Sequence, residues 1–459
     1  MRAKRLFTLM GGFTLLAFPL QARDSAESIP DSISPAMVTA PPSGEMPTIW
    51  SFNDCIEWAT TNNTDIRRTL LNILTARQDV LSAKDAWLPT VGFSTNQTFT
   101  NYPSPESGRK GNAYGSSYNV NASWTAWEGN ARKYREESAR ILERQQALAG
   151  EDVVKTLKLG ILEAYLNIMY ATEAVQIAEQ TLEVSTAQAQ RALRLTEAGK
   201  SSKVDYAQIE SQRAQDAYNL TQAQGNLETA KMALKRILQL GLDYNLEIMM
   251  PDYADNDIVA PLPDPDTVYD IAAAWLPQLR SNELSKDIYA NDVKIAKTGM
   301  LPTIGLQGGI GTGYTTGGSG WGSQMGHNFN ENIGVNVNVP IFDGNSTKRA
   351  VAKARLAELQ YDLNRQDLLN DLSQTIEGLY VDARNARARF ISGQSQLESM
   401  QLTDELVNRQ FELGYVNPLD LLSAHNNLLN ARLELLQSKY MAILAARSIN
   451  YYATQDVNL

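Results

Sequence analysis

Few residues in this sequence combine types and spacings that could carry chemistry. His327 and His425 are the only histidines, and Cys55 is the only cysteine. Neither histidine lies in a spaced His, Cys or carboxylate cluster, so no metal site and no cofactor is expected. The segment GGIGTGYTTGG, residues 308–318, has the glycine density of a phosphate-cradling loop. It fits neither G-x-G-x-x-G nor the P-loop, and no Lys-Ser/Thr follows it. The scattered carboxylates form no general acid/base pair. The sequence therefore reads as that of a protein that is not an enzyme.

Two aspartates stand out because they recur. Asp205 and Asp420 each lie six residues after a glycine, Gly199 and Gly414. Ser202-Lys203-Val204-Asp205 and Asn417-Pro418-Leu419-Asp420 both have capping-box spacing, with Pro418 at a first helical position. An acid at a helix start also suits the helix dipole. Capping alone accounts for both positions.

The elements around them recur as well. AKDAWLPTVG (83–92) matches AKTGMLPTIG (296–305), WEGNARK (127–133) matches FDGNSTK (342–348), and TEAGKSSKVDYA (196–207) matches FELGYVNPLDLL (411–422). The order and near-constant offset predict an internal duplication, 50–265 and 266–459, in which both repeats build one body. Each repeat reads as a helix ending at Leu-Pro, two strands, a very long helix, a Gly-marked tip and a return helix. Residues 128–198 contain no proline and would span on the order of 100 Å as a helix. Val154, Ile161, Ile168, Val175, Leu182 and Ala189 recur every seventh residue, a coiled-coil period. A second stripe (Leu159, Leu162, Leu166, Met169) predicts neighbours on two sides.

The strands alternate differently. Tyr118, Val120, Ala122, Trp124 and Ala126, and Ile333, Val335, Val337, Val339 and Ile341, form apolar faces opposite Asn, Ser, Thr and Gly. Their length suits a tilted membrane-crossing strand, although a soluble sandwich would show the same alternation. Four such strands are too few to close a barrel alone.

The N-terminus supplies an address. MRAKR precedes a short apolar stretch that ends near Ala22, the pattern of a cleaved signal peptide at residues 1–22. Loss of Arg2, Lys4 and Arg5 would take the formal charge from −10 to −13. An acidic chain offers no electrostatic footprint for nucleic acid. Residues 23–49, rich in Pro and Ser, read as a disordered linker.

These residues resemble the TolC-type outer-membrane channel family. Leu-Pro-Thr before each strand pair, VPIFDGN at the strand-to-helix joint and Gly-x-x-x-x-x-Asp at each tip carry the resemblance, from about Trp50 to about Tyr452. It implies an α+β membrane protein in the outer membrane of a Gram-negative bacterium, with a long periplasmic extension. Three subunits would share a twelve-stranded β-barrel, four strands each, above an α-barrel of long helices. The partners implied are a periplasmic adaptor, an inner-membrane transporter and outer-membrane lipid. The function implied is a passive exit duct of an efflux pump or type I secretion system. The alternative is a secreted trimeric coiled-coil protein, structural or adhesive, without a pore. The resemblance implies a gate at Asp205 and Asp420 with Phe411 and Tyr415, where gathered carboxylates would attract cations. Gly199, Lys200, Lys203, Gly414, Asn417 and Pro418 would meet the adaptor. Trp127, Gly129, Phe342, Asp343 and Gly344 would form the joints, and Phe99, Trp124 and Trp321 the membrane-interface aromatics. Where the family closes with Tyr and Arg, this sequence has Phe411 and Val416, so its closing contacts differ. It also lacks a cysteine after the apolar stretch, unlike the acylated branch.

Overall fold

The computed structural model describes residues 46–104, 111–241, 243–251, 253 and 255–457. The expected signal peptide, and the linker up to residue 45, lie outside the described residues. From Pro47 onward the chain is one compact unit.

The elements run in the order α1 (Phe52–Asn62), α2 (Thr64–Asp85), β1 (Thr90–Asn101), β2 (Asn112–Trp127), α3 (Ala131–Glu197), α4 (Lys203–Leu238), α5 (Asp255–Ile258), α6 (Pro265–Trp275), α7 (Pro277–Thr298), β3 (Thr303–Thr315), α8 (Trp321–His327), β4 (Asn330–Asn338), α9 (Ser346–Glu412) and α10 (Pro418–Thr454). The two long helices, α3 and α9, are 67 residues each, about 100 Å at ~1.5 Å per residue. No described helix is long and apolar enough to cross a membrane.

Small seam residues let these helices approach closely. Ala164, Ala171, Ala178, Ser185 and Ala192 of α3 are all buried at seven-residue intervals. Each long helix carries two shorter ones end to end along one side. Along α3 these are α2 beside the sheet-proximal part and α4 beside the remainder; along α9 they are α7 and α10. A further contact of α3 with α7 and α10 joins the halves. The main core lies where the stacked ends meet: Trp50, Phe52 and Trp58 pack on Ile161, Leu162, Tyr165, Met169, Leu234 and Leu238. A second core joins α6 and α7 to α9 and α10 through Val268, Leu279, Leu372, Ile376 and Ile449.

The strands form one antiparallel sheet in the order β1-β2-β3-β4, so the two hairpins meet at β2 and β3. Register places Phe93 opposite Val120, Val120 opposite Ile310, and Leu306 opposite both Trp124 and Val335, all on one face. The other face holds Asn119, Asn121, Asn332 and Asn336 with Gly305, Gly309 and Gly311. The glycines are there because the amides lie across them. A Cβ on Gly311 would come within 2.5 Å of Asn119 Oδ1, and one on Gly309 within 2.9 Å of Asn121 Oδ1.

Two strand limits differ from the sequence expectation. β2 starts at Asn112, well before Tyr118, because backbone pairing with β1 continues through Gly115 and Ser116 after the apolar alternation has stopped. β4 ends at Asn338, short of Ile341, because Pro340 has no N–H to donate.

Candidate functional site: the helical tips

The two tips are built alike. After α3, Gly199 takes φ +71°, and the Lys200 N–H donates back to Leu195 O at 2.8 Å. After α9, Gly414 takes φ +77°, and the Tyr415 N–H donates to Gln410 O at 2.9 Å. This is a left-handed closure that glycine adopts without a side-chain penalty.

The return helices then diverge in their capping. Ser202 Oγ accepts the Asp205 N–H at 3.0 Å, and Asp205 Oδ2 accepts the Ser202 N–H at 3.1 Å, a complete capping box. The Ser201 hydroxyl adds a second bond to the same carboxylate, 3.2 Å away. The Ser202 backbone and hydroxyl, helped by Ser201, hold this carboxyl below the usual carboxylate range. At the second tip Asn417 Oδ1 accepts the Asp420 N–H at 2.9 Å, but no reciprocal bond returns. The second box is therefore only half formed, and the exposed Asp420 carboxylate accepts no hydrogen bond among the described residues.

Phe411 does not face solvent alone. It packs with Tyr206 against Ala189, Ala192 and Ile209, a small core that ties the two tips together. Tyr415 is 79% exposed. Lys200 and Lys203 are exposed beside the first tip.

Sequence reasoning missed the polar links between the two hairpins. The Arg191 guanidinium donates to Glu412, and Gln188 Nε2 donates to Asn408 Oδ1 at 2.9 Å, both from α3 to α9. Gln212 of α4 and Asn426 of α10 exchange amide hydrogen bonds of 3.2 Å each. Asp216 and His425 form a buried pair, 3.3 Å apart. Each residue is one polar position among many on a long helix, so no local signal marks it.

The sequence model of the family described as "Outer membrane efflux protein" matches residues 55–239 and 268–450, most of each half. The chain belongs to the outer membrane efflux protein family. Among its relatives are "Outer membrane efflux protein BepC" of Brucella suis, 22% identical over 62% of this chain and 60% of that one. "Alkaline protease secretion protein AprF" of Pseudomonas aeruginosa is 24% identical over 70% of this chain and 66% of that one. The chain thus spans somewhat less than two thirds of the length of these two relatives. The fold matches that of the solved channel protein CusC with a TM-score of 0.74, covering 92% of this chain and 98% of that one at 19% identity.

The strand-to-helix joints of this outer membrane efflux family member are duplicated too. Gly129 and Asn130 have φ +65° and +69°, and Gly344 and Asn345 have φ +66° and +65°. A Cβ on Gly129 would meet Leu301 Cδ1 at 2.8 Å, so the first joint needs glycine for space as well. Asp343 accepts the Thr347 N–H at 2.7 Å, and the Thr347 hydroxyl and N–H hold its carboxyl below the ordinary range. Arg132 holds the first joint: it is buried, donates to Ala86 O and Thr125 O, and stacks 4.5 Å over Trp87. Trp127 is the last residue of β2, at a register shift, and Phe342 lies exposed after β4.

The aromatics expected at membrane interfaces are spread over the sheet. Phe99 pairs with Tyr114 near the loop end, while Trp124, ten positions along β2, lies at the helix end and donates Nε1–H to Trp87 O at 2.8 Å. Ten residues of strand span about 34 Å. Trp321 opens α8, which fills the edge of β3 beyond the end of β4. There Gln324 stands in for a strand residue, accepting the Thr315 N–H and donating to Thr315 O at 2.9 Å each.

Proposed function

We propose that this protein is the outer-membrane exit duct of a tripartite efflux pump or type I secretion system, a passive homotrimeric channel narrowed at its periplasmic tips. The observation that carries this reading is the unpartnered sheet. β1 and β4 each have one bare edge, and the apolar face carries Ile333 at 93% exposure and Phe93 at 67%. A lone soluble chain would hide such a face. Three copies would join their edges into twelve strands, turn the apolar face to lipid and the Asn/Gly face inward.

The helical layer has matching bare sides. α9 and the α2/α4 stack each lack a neighbour on one flank, and Leu356, Leu359, Leu363, Leu402 and Leu406 are exposed along α9. Sheet and helices would therefore close in the same step. In this reading residues 50–265 and 266–459 are two repeats of one channel, with adaptor and inner-membrane transporter meeting the tips. The Asp205 and Asp420 carboxylates of three subunits would ring the periplasmic mouth and favour cations. The family consists of channel proteins, which supports a non-enzymatic role. The exposed apolar sheet disfavours the alternative of a secreted, poreless coiled coil.

Negative-stain imaging of the detergent-purified protein tests this. A threefold tapered cylinder with a tunnel of ~100 Å is expected. Solid rods, or recovery as a soluble monomer without detergent, would sink the reading.

A further inference from the structure

Behind the tips, one polar cluster crosses all four long helices. On α4, Asp216 is 1% exposed, and its Oδ1 accepts Nε2–H of Gln212 at 2.9 Å. From α10, His425, 5% exposed, places Nε2 3.3 Å from Asp216 Oδ2. Asn426 pairs with Gln212 from the same helix. On α9, the half-buried Asp404 accepts Nδ2–H of Asn408 at 3.0 Å, and Asn408 in turn accepts from Gln188 on α3. Asp404 Oδ1 and Gln188 Oε1 are buried and accept no hydrogen bond.

The charged groups facing His425 can be named helix by helix. Asp216 faces it from α4, and Asp404 from α9. Arg432, on α10 itself, acts on Asp404. The α4 residue Arg213 is engaged by Glu210 and turned to it. The buried α3 residues near this level are Thr181, Ser185 and Ala189, all uncharged. The buried Asp216 carboxylate therefore meets the imidazole away from water, and the half-buried Asp404 acts on the same imidazole from α9.

We propose that this cluster is a proton-operated clasp between the α3–α4 and α9–α10 hairpins, closed when His425 carries a proton and loosened when it does not. With the proton, the imidazolium neutralises Asp216 and makes a charge-assisted bond across the hairpin boundary. Without it, the carboxylates keep their charge in a site with little solvent, a state that favours parting the helices and admitting water. Asp404 acts in the same sense. Burial pushes its carboxyl up, against the pull of His425 and Arg432, so its contribution to the closed form is present at low pH and is lost as pH rises.

The clasp lies within one chain, so it stands or falls independently of the channel reading. The test is a pulsed spin-label distance measurement between Gln208→Cys and Leu419→Cys, which face one another across α4 and α10, in a Cys55→Ala background. Labelled chain is diluted with unlabelled chain, so that distances are measured within one subunit. The distribution should widen roughly twofold between about pH 5 and about pH 8, and His425→Gln should remove that response. An unchanged width in the unsubstituted cluster, or a full response kept by His425→Gln, would overturn the clasp. If His425→Gln does not fold, Asp216→Asn carries the same comparison with the same two outcomes.

Discussion

The indole Nε1–H of Trp58 donates to the backbone carbonyl of Leu238, 2.9 Å away, so a residue of α1 closes the C-terminus of α4. The second half repeats the device, Trp275 Nε1–H donating to Tyr452 O at 3.1 Å. Each bond fastens a return helix to the short helix beside its end. This keeps the stacked helices aligned along their long neighbour.

Trp58→Phe would keep most of the ring and remove the donor, leaving a buried carbonyl without its partner. A loss of ~1–3 kcal/mol is expected. Trp275 is only half-buried, so Trp275→Phe should lose less. Urea unfolding midpoints measure both; a Trp58→Phe midpoint equal to the unsubstituted protein would dismiss the cap.

Glycine substitutions should have opposite signs at two places. Gly414, at φ +77°, ends α9, and Gly414→Ala should cost about 1 kcal/mol. Gly225 lies exposed inside α4 with open space around it, and Gly225→Ala should add roughly 0.5–1 kcal/mol. Thermal unfolding of the two variants side by side reads the difference in sign.

In the sheet, Gly311→Ala would drive a methyl group into the Asn119 amide, whereas Gly322, in α8, has nothing within 4 Å. Gly311→Ala should lower the yield of folded, detergent-stable assembly, and Gly322→Ala should not. Equal yields would mean that the Asn119 side chain moves freely off the strand.

Asp205 and Asp420 should separate under Asn substitution. The Asp205 carboxylate accepts two hydrogen bonds within its own tip, so Asp205→Asn should loosen residues 201–206. Its carboxyl is held low, so its contribution is present at neutral pH and fades as pH falls through that lowered value. Asp420→Asn should leave the tip ordered and reduce cation preference. Amide exchange at the tips and ion selectivity in planar bilayers test the pair. Unchanged selectivity in Asp420→Asn would reduce that residue to a helix-start acid.

Cys55 is fully buried, and burial, with the nearby Asp54 charge, pushes its thiol up to about 12. Only thiolate reacts readily, so maleimide labelling at neutral pH should be negligible in the folded protein and complete in denaturant. Fast labelling of the native protein would show that the α1 core opens.

Much of the architecture was legible because its causes are local. Seven-residue spacing and freedom from proline make α3, and the matching segments of the second half place α9. Alternation with Asn and Gly makes the strand pairs, and Gly199 and Gly414 make the turns. The Ser202–Asp205 box was readable from spacing alone. Its counterpart was over-read, because spacing places Asp420 correctly but does not say where its carboxylate turns.

Local spacing was thus enough for the long helices, the strand pairs and the glycine turn at each tip. Which polar residues meet depends on the packed helices and sheet: Asp216 with His425, Arg191 with Glu412, Asn119 over Gly311. The physical reason is axial register. A polar residue on a long helix faces a partner set by how two hairpins slide and turn against each other. That alignment comes from the summed packing of alanine seams and stacked helix ends, none of which is written beside the residues it brings together.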